Sequence, residues 1–212
     1  MKTILCYGDS LTYGAHPAGG RHEFEDRWPS ELGRVLGTDK VRIIAEGLGG
    51  RTTVFDDLSS IADRNGARTL PTLLASHQPL DCVVIMLGTN DMKEYLCGSA
   101  LGAAMGVKRL VEMVRKHPYD LGFPIPEVVI VAPPHCVGTD HPDLSPMFRH
   151  GMTESHLLAG HYERVAGDMN ATFFDAATVA VADPQDGVHL DAENTRAIGA
   201  ALAPVVSGLL DL

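Results

Sequence analysis

Lys2-Thr3-Ile4-Leu5-Cys6-Tyr7-Gly8-Asp9-Ser10 begins with a short, largely apolar run that stops at a glycine. The run is too brief for a helix, and because its apolar residues are continuous rather than alternating, it suits a strand covered on both faces. The pattern recurs at Val41–Ala45, Cys82–Leu87, Val128–Ala132 and Thr172–Phe174, each bounded by Gly, Pro, Asp or Asn. Helical spacing occupies the intervals at Trp28–Leu36, Leu70–His77 and Ala100–Lys116. In the last of these, Leu101, Met105, Leu110, Met113 and Val114 fall largely on one face. A closing helix is predicted over Ala192–Leu209, with Asp191 as its N-cap and a kink at Pro204. Five strands alternating with helices predict a three-layer α/β/α sandwich around a mostly parallel five-stranded sheet. No repeat, linker or low-complexity tract divides the chain, so residues 1–212 read as one domain.

Composition narrows the function classes. With 17 Lys and Arg against 27 Asp and Glu, the net charge is −10, and no basic run relieves it. Nucleic acid and anionic membranes are therefore poor partners. The charge-free stretch near the C-terminus, Ala197–Leu210, is broken by Gly199, Pro204, Ser207 and Gly208 and is too short to span a bilayer. The apolar run at the N-terminus is too short for a signal-peptide core, so a cytoplasmic location is expected. Cys6, Cys82, Cys97 and Cys136 show no finger spacing and are expected to be thiols. The irregular stretches are Ala15–Asp26, Arg51–Arg68 and Pro133–Gly151. Long loops in a compact α/β protein tend to carry function.

Ligands of an open parallel sheet bind beyond the carboxyl ends of its strands, so the residues following each apolar run carry the chemistry. The first run leads into Gly8-Asp9-Ser10-Leu11, where Ser10 stands at the mouth of the next segment. The second leads into Glu46-Gly47-Leu48-Gly49-Gly50-Arg51-Thr52-Thr53, whose glycines allow backbone N–H groups to converge on an anion. The third ends in Leu87-Gly88-Thr89-Asn90-Asp91, placing a carboxamide donor at the same edge. Before the closing helix comes Asp186-Gly187-Val188-His189, an acid three residues ahead of an imidazole and within reach of its Nδ1. Taken alone, Gly8-Asp9-Ser10 is more often a helix cap and Asp186/His189 more often a surface pair, while the glycine run reads as well as a flexible loop and Gly88–Asp91 as a turn. Together they supply a nucleophile, a base, its orienter and oxyanion donors in one chain.

These four elements resemble the blocks of the SGNH (GDSL) hydrolases, in order and spacing, over nearly the whole chain. The resemblance implies a flavodoxin-like sheet, Ser10 as nucleophile, His189 as general base and Asp186 as its orienter. It also implies an oxyanion hole made by the Ser10 and Gly50 backbone N–H groups and the Asn90 side chain. Gly50 is preferred to Gly49 because it immediately precedes the polar residue of its block. Many members carry Asn where this chain has Glu46. The run from Gly47 to Thr53, with Leu70-Pro71 and Pro79-Leu80-Asp81, looks most like the bacterial arylesterase/acyltransferase branch, whose members act on small esters.

The activity so implied is hydrolysis of short-chain acetyl or aryl esters through an acyl-enzyme, with acyl transfer or perhydrolysis as further outcomes and with no metal or cofactor. The branch also raises the expectation of a homo-oligomer. A carbohydrate deacetylase or thioesterase would use the same residues. From another class, a flavodoxin-like module that binds an anion at Gly47–Gly50 without chemistry remains open. Asp9 and Asp91 read as structural acids that tie down turns, while Arg51 is left between pairing with them and meeting substrate. His135, His141, His150, His156 and His161 lack the spacing of a compact zinc site.

Overall fold

The computed structural model describes residues 1–212. Five strands, β1 (Lys2–Gly8), β2 (Val41–Gly47), β3 (Cys82–Met86), β4 (Glu127–Ala132) and β5 (Thr172–Asp175), form one sheet in the order β2-β1-β3-β4-β5. Every neighbouring pair is parallel, and this order is the flavodoxin-like one. The register aligns Gly8 with both Gly47 and Met86, so the first three strands end level and release their following turns at one edge.

Alternation along each strand divides the core into two layers. Leu5, Tyr7, Val83, Ile85, Val128 and Ile130 face one side, where α3 (Gly66–His77), α4 (Ala100–Lys116) and α6 (Gly151–Met169) cover them. Ile4, Cys6, Cys82, Val84, Met86, Val129 and Val131 face the other, under α2 (Trp28–Leu36) and α7 (Ala192–Leu210). Two four-residue turns of helix, α1 (Ser10–Tyr13) and α5 (Leu144–Met147), complete the set. The four cysteines are free thiols. No helix is long and apolar enough to cross a membrane.

Two differences from the sequence expectations have physical causes. The helix expected from Leu70 starts one turn earlier, at Gly66. There the carbonyls of Thr52 and Thr53 accept the Gly66 and Ala67 N–H groups and satisfy donors that a helix start would otherwise leave orphaned. Helix α6 was not predicted: its buried face, Gly151, Ser155, Leu158, Tyr162, Val165 and Ala166, mixes small and polar residues into the stripe. Helix α7 runs through Pro204 to Leu210, with the proline on the exposed side, and Asp191 caps it by accepting the Asn194 N–H at 2.8 Å.

Candidate active site

Asp9 turns the chain from β1 into α1, its Oδ1 accepting the Leu11 N–H at 2.9 Å. Ser10 is thereby the first residue of the turn, and its Oγ lies 2.9 Å from His189 Nε2. The loop before α7 brings His189 across 179 residues of sequence. His189 Nδ1 lies 2.5 Å from Asp186 Oδ2, and Asp186 Oδ1 accepts the Val188 and His189 N–H groups at 2.9 and 2.8 Å. Burial alone would raise the Asp186 pKa, but the His189 ring and these two N–H groups outweigh it and hold the carboxyl below its ordinary range. The loop is fastened from outside by His22, whose Nε2 meets the Leu190 carbonyl at 2.8 Å, and by the Val137 N–H on the Gly187 carbonyl at 2.9 Å. A serine hydroxyl on an imidazole whose far nitrogen faces a held carboxylate can pass its proton to that ring when it attacks a carbonyl.

A second set of groups faces the same serine. Arg51 donates its N–H to the Leu48 carbonyl at 3.0 Å, closing a four-residue turn. Gly50 is the third residue of that turn with φ 81°, as a type II turn requires, and a Cβ there would lie 2.4 Å from Arg64 Nε. Gly49 has open space around it. The central peptide of the turn joins Gly49 to Gly50. Its carbonyl accepts Arg64 Nε at 3.1 Å, while its N–H, on Gly50, meets no protein acceptor. A trans peptide carries the two groups on opposite sides, so Arg64 fixes and polarises the unit whose N–H stays free. The Ser10 N–H is also without a protein acceptor. Asn90 Nδ2 donates to the Arg51 carbonyl at 3.1 Å and to Asp9 Oδ2 at 3.2 Å. Ser10, Gly50, Asn90 and His189 line one cavity of about 420 Å3, and a larger cleft of about 810 Å3 lies against the His189 and Asp186 loop.

The acids beside the serine are structural in position. Asp91 accepts the Thr53 N–H at 3.0 Å and the Thr53 hydroxyl, tying the turn after β3 to the loop after β2. Burial pushes Asp9 up to about 6 and Asp91 up to about 7. Arg51 meets neither: its Nη1 donates to the carbonyls of Gly8, at 2.7 Å, and Glu46, and its guanidinium stacks 4.4 Å from the Tyr7 ring centroid. It therefore pins the ends of β1 and β2 together. Glu46 points the other way, toward His77 Nε2 at 3.0 Å.

Sequence reasoning missed Asp57, Arg64 and Lys93. Asp57 is fully buried, and its Oδ2 receives Arg64 Nη1 at 2.9 Å and Lys93 Nζ at 3.0 Å. Burial works to raise its pKa, and the hydrogen bonds from Ser59 and Lys93 outweigh that and hold the carboxyl well below its ordinary range. The only sequence signal was the length of the irregular stretch that carries Asp57 and Arg64. Of the histidines, His135 stacks on His156 with centroids 3.8 Å apart, and His141 Nδ1 accepts the local N–H groups of Asp143 and Leu144. No three His, Cys, Asp or Glu side chains converge.

The comparisons with known proteins agree with this geometry. Residues 6–196 match the model of the GDSL-like lipase/acylhydrolase family. A carbohydrate acetylesterase family member from Sinorhizobium meliloti is 51% identical, with a TM-score of 0.97 and full coverage of both chains. A second carbohydrate acetylesterase from the same organism is 39% identical with a TM-score of 0.94, over 99% of this chain and 100% of that one. The M. smegmatis aryl esterase is 40% identical, with a TM-score of 0.92 and the same coverage. No curated protein matches by sequence. A parallel sheet in flavodoxin order, a serine, an imidazole and a carboxylate in hydrogen-bonded series at its edge, and a family match over nearly all residues lead to one conclusion: the chain belongs to the GDSL-like lipase/acylhydrolase (SGNH hydrolase) family and is a carboxylic ester hydrolase.

Proposed function

We propose that the protein cleaves short-chain acyl esters, acetyl esters foremost, through an acyl-enzyme on Ser10. The observation that carries this reading is the unbroken series Ser10 Oγ, His189 and Asp186, at 2.9 and 2.5 Å. In it His189 takes the serine proton as Oγ attacks the ester carbonyl and returns it to the departing alkoxide, and Asp186 holds the ring and steadies the imidazolium that forms. The negative charge on the carbonyl oxygen is met by the N–H groups of Ser10 and Gly50 and by Asn90 Nδ2. The oxyanion then draws the Asn90 proton from its longer contact, the one to Asp9. Water, activated by the same histidine, releases the acid.

A covalent intermediate divides the reaction, so an alcohol or peroxide that reaches the carbonyl beside His189 also receives the acyl group. The names of the related acetylesterases and aryl esterase support acetyl and aryl acetates as substrates.

Labelling with an active-site-directed organophosphonate tests the mechanism. The parent is expected to take up one label at Ser10, and Ser10→Ala none, with ester hydrolysis falling by roughly 10⁴-fold or more at unchanged Tm. A parent that stays unlabelled sinks the reading. Rates on aryl acetate, butyrate and octanoate are expected to fall in that order, and faster turnover of octanoate would reverse the acyl preference. With a primary alcohol present, a ratio of new ester to free acid above that set by the two concentrations marks acyl transfer.

A further inference from the structure

The cavity beside Ser10 is cationic in a protein whose net charge is −10. Arg64 and Lys93 both line it, no carboxylate does, and Asp57, behind them, is shared by the two cations. Asp57 alone pairs with the two cations, so the cavity's own lining carries more positive than negative charge. The Arg64 guanidinium is immobilised: Nε is held by the Gly49 carbonyl, and Nη1 by Asp57 and Ser59. Its Nη2 has no protein partner and is open to solvent, and the side chain stands between this cavity and a smaller one lined by Asp56, Asp57 and Asp63. A fixed guanidinium with one nitrogen unspent can receive a single carboxylate oxygen through a charge-assisted hydrogen bond. The lining also includes Tyr95, Met147 and Phe148, which are able to hold the body of an alcohol. An acetyl group fills only a small part of about 420 Å3, so most of this cavity falls to the alcohol portion of the ester.

We propose that the preferred substrates are acetyl esters of hydroxy acids, acidic sugars included, whose carboxylate is received by Arg64 Nη2 while the acetyl carbonyl sits over Ser10. Lys93 adds its charge from behind. This rests on the esterase reading above and narrows it to one substrate class. The transferred acetyl group and the proton movements are those already described, since the carboxylate is bound and takes no part in bond making.

The test compares 4-acetoxybenzoate with 4-acetoxybenzamide, alike in shape and different in charge, each kcat/KM being divided by the hydroxide-catalysed rate of the same substrate. The parent is expected to favour the carboxylate by about tenfold, and the preference to shrink at high ionic strength. Arg64→Gln is expected to bring the ratio to about one. Any loss it causes through the Gly49–Gly50 peptide lowers both rates and cancels in the ratio. Arg64→Lys keeps the charge without the fixed Nη2 and is expected to retain part of the preference. Moving the carboxylate to the acyl side, as in a hemisuccinate aryl ester, is expected to remove the advantage.

A parent that hydrolyses both acetates with a ratio of one or less overturns this inference and leaves the esterase reading standing. So does a preference that survives Arg64→Gln unchanged or is greater for the hemisuccinate. If neither acetate is cleaved and Ser10 takes no phosphonate label, both readings fail together.

Discussion

Two regions meet at the same sheet edge, and each presents a buried carboxyl that behaves in the opposite sense. In the loop before α7, Asp186 collects two backbone N–H groups and the His189 ring, which outweigh its burial and keep it ionised. In the turns after β1 and β3, Asp9 and Asp91 are also hydrogen-bonded, yet burial dominates and pushes them up to about 6 and about 7. Residue type does not separate a carboxyl that supports an imidazolium from one that braces a turn. The balance between desolvation and the donors aimed at the carboxyl does. The first carboxyl therefore stays charged beside an imidazole, and the two in the second region brace turns.

The comparison breaks first at Asp186. Asp186→Asn leaves an amide that cannot accept Nδ1–H and steady the cation in the same way, so kcat is expected to fall by roughly 10³–10⁴-fold at unchanged fold. Steady-state kinetics with an aryl acetate and a circular-dichroism melt check both parts. Activity within a few-fold of the parent would remove Asp186 from its role. On the proposed mechanism Asn90→Ala removes one oxyanion donor, which is expected to lower kcat by roughly 10²–10³-fold with little change in KM. A raised KM at constant kcat would reassign Asn90 to ground-state binding.

The strands were legible because each is a continuous apolar run ending in Gly, Asp or a polar turn, and a sheet covered on both faces demands that pattern. Ser10, Asn90, Asp186 and His189 were legible because they sit within a few residues of those strand ends or of the last helix, so short motifs carry their placement. Helix α6 was hidden because Gly151 and Ser155 occupy buried positions that a hydrophobic count scores as gaps. Arg64 and Lys93 were hidden for a different reason. They lie 29 residues apart by number, and their partnership exists only through Asp57, which belongs to a loop with no periodicity to read. Arg51 was visible but its role was not, since a cation that caps two strand-end carbonyls carries no sequence mark.

The adjacent glycines of the second block sharpen the comparison at smaller cost. Gly50 has φ 81° and no room for a Cβ against Arg64, whereas Gly49 has open space. Gly50→Ala is expected to tilt the peptide whose N–H the proposed mechanism turns to the oxyanion, and to lower kcat by roughly 10-fold or more, with a lower Tm. Gly49→Ala is expected to stay within about twofold of the parent. Equal losses at the two positions, in paired kinetics and melts, would show that the turn does not present a particular N–H.

The smallest effect tests the bracing acid itself. Asp91 rises from its ordinary 3.8 to about 7 in the folded protein because burial disfavours its charge. Over the interval between those values the folded state keeps a proton that the unfolded state releases, so its contribution to stability is complete below the unfolded pKa and is lost as pH rises through about 7. Asp91→Asn removes that titration but keeps only one acceptor for the Thr53 N–H and hydroxyl, a loss of about 1 kcal/mol. The variant is therefore expected to melt below the parent near pH ~5 and to close the gap, or pass the parent, near pH ~8. Repulsion from Asp9 is part of what raises Asp91 and so part of what the variant removes, whereas the general charge repulsion of an acidic chain cancels in the difference. A gap that stays constant across the series would mean that Asp91 enters the fold already ionised. The contrast with Asp186 would then lie in geometry alone.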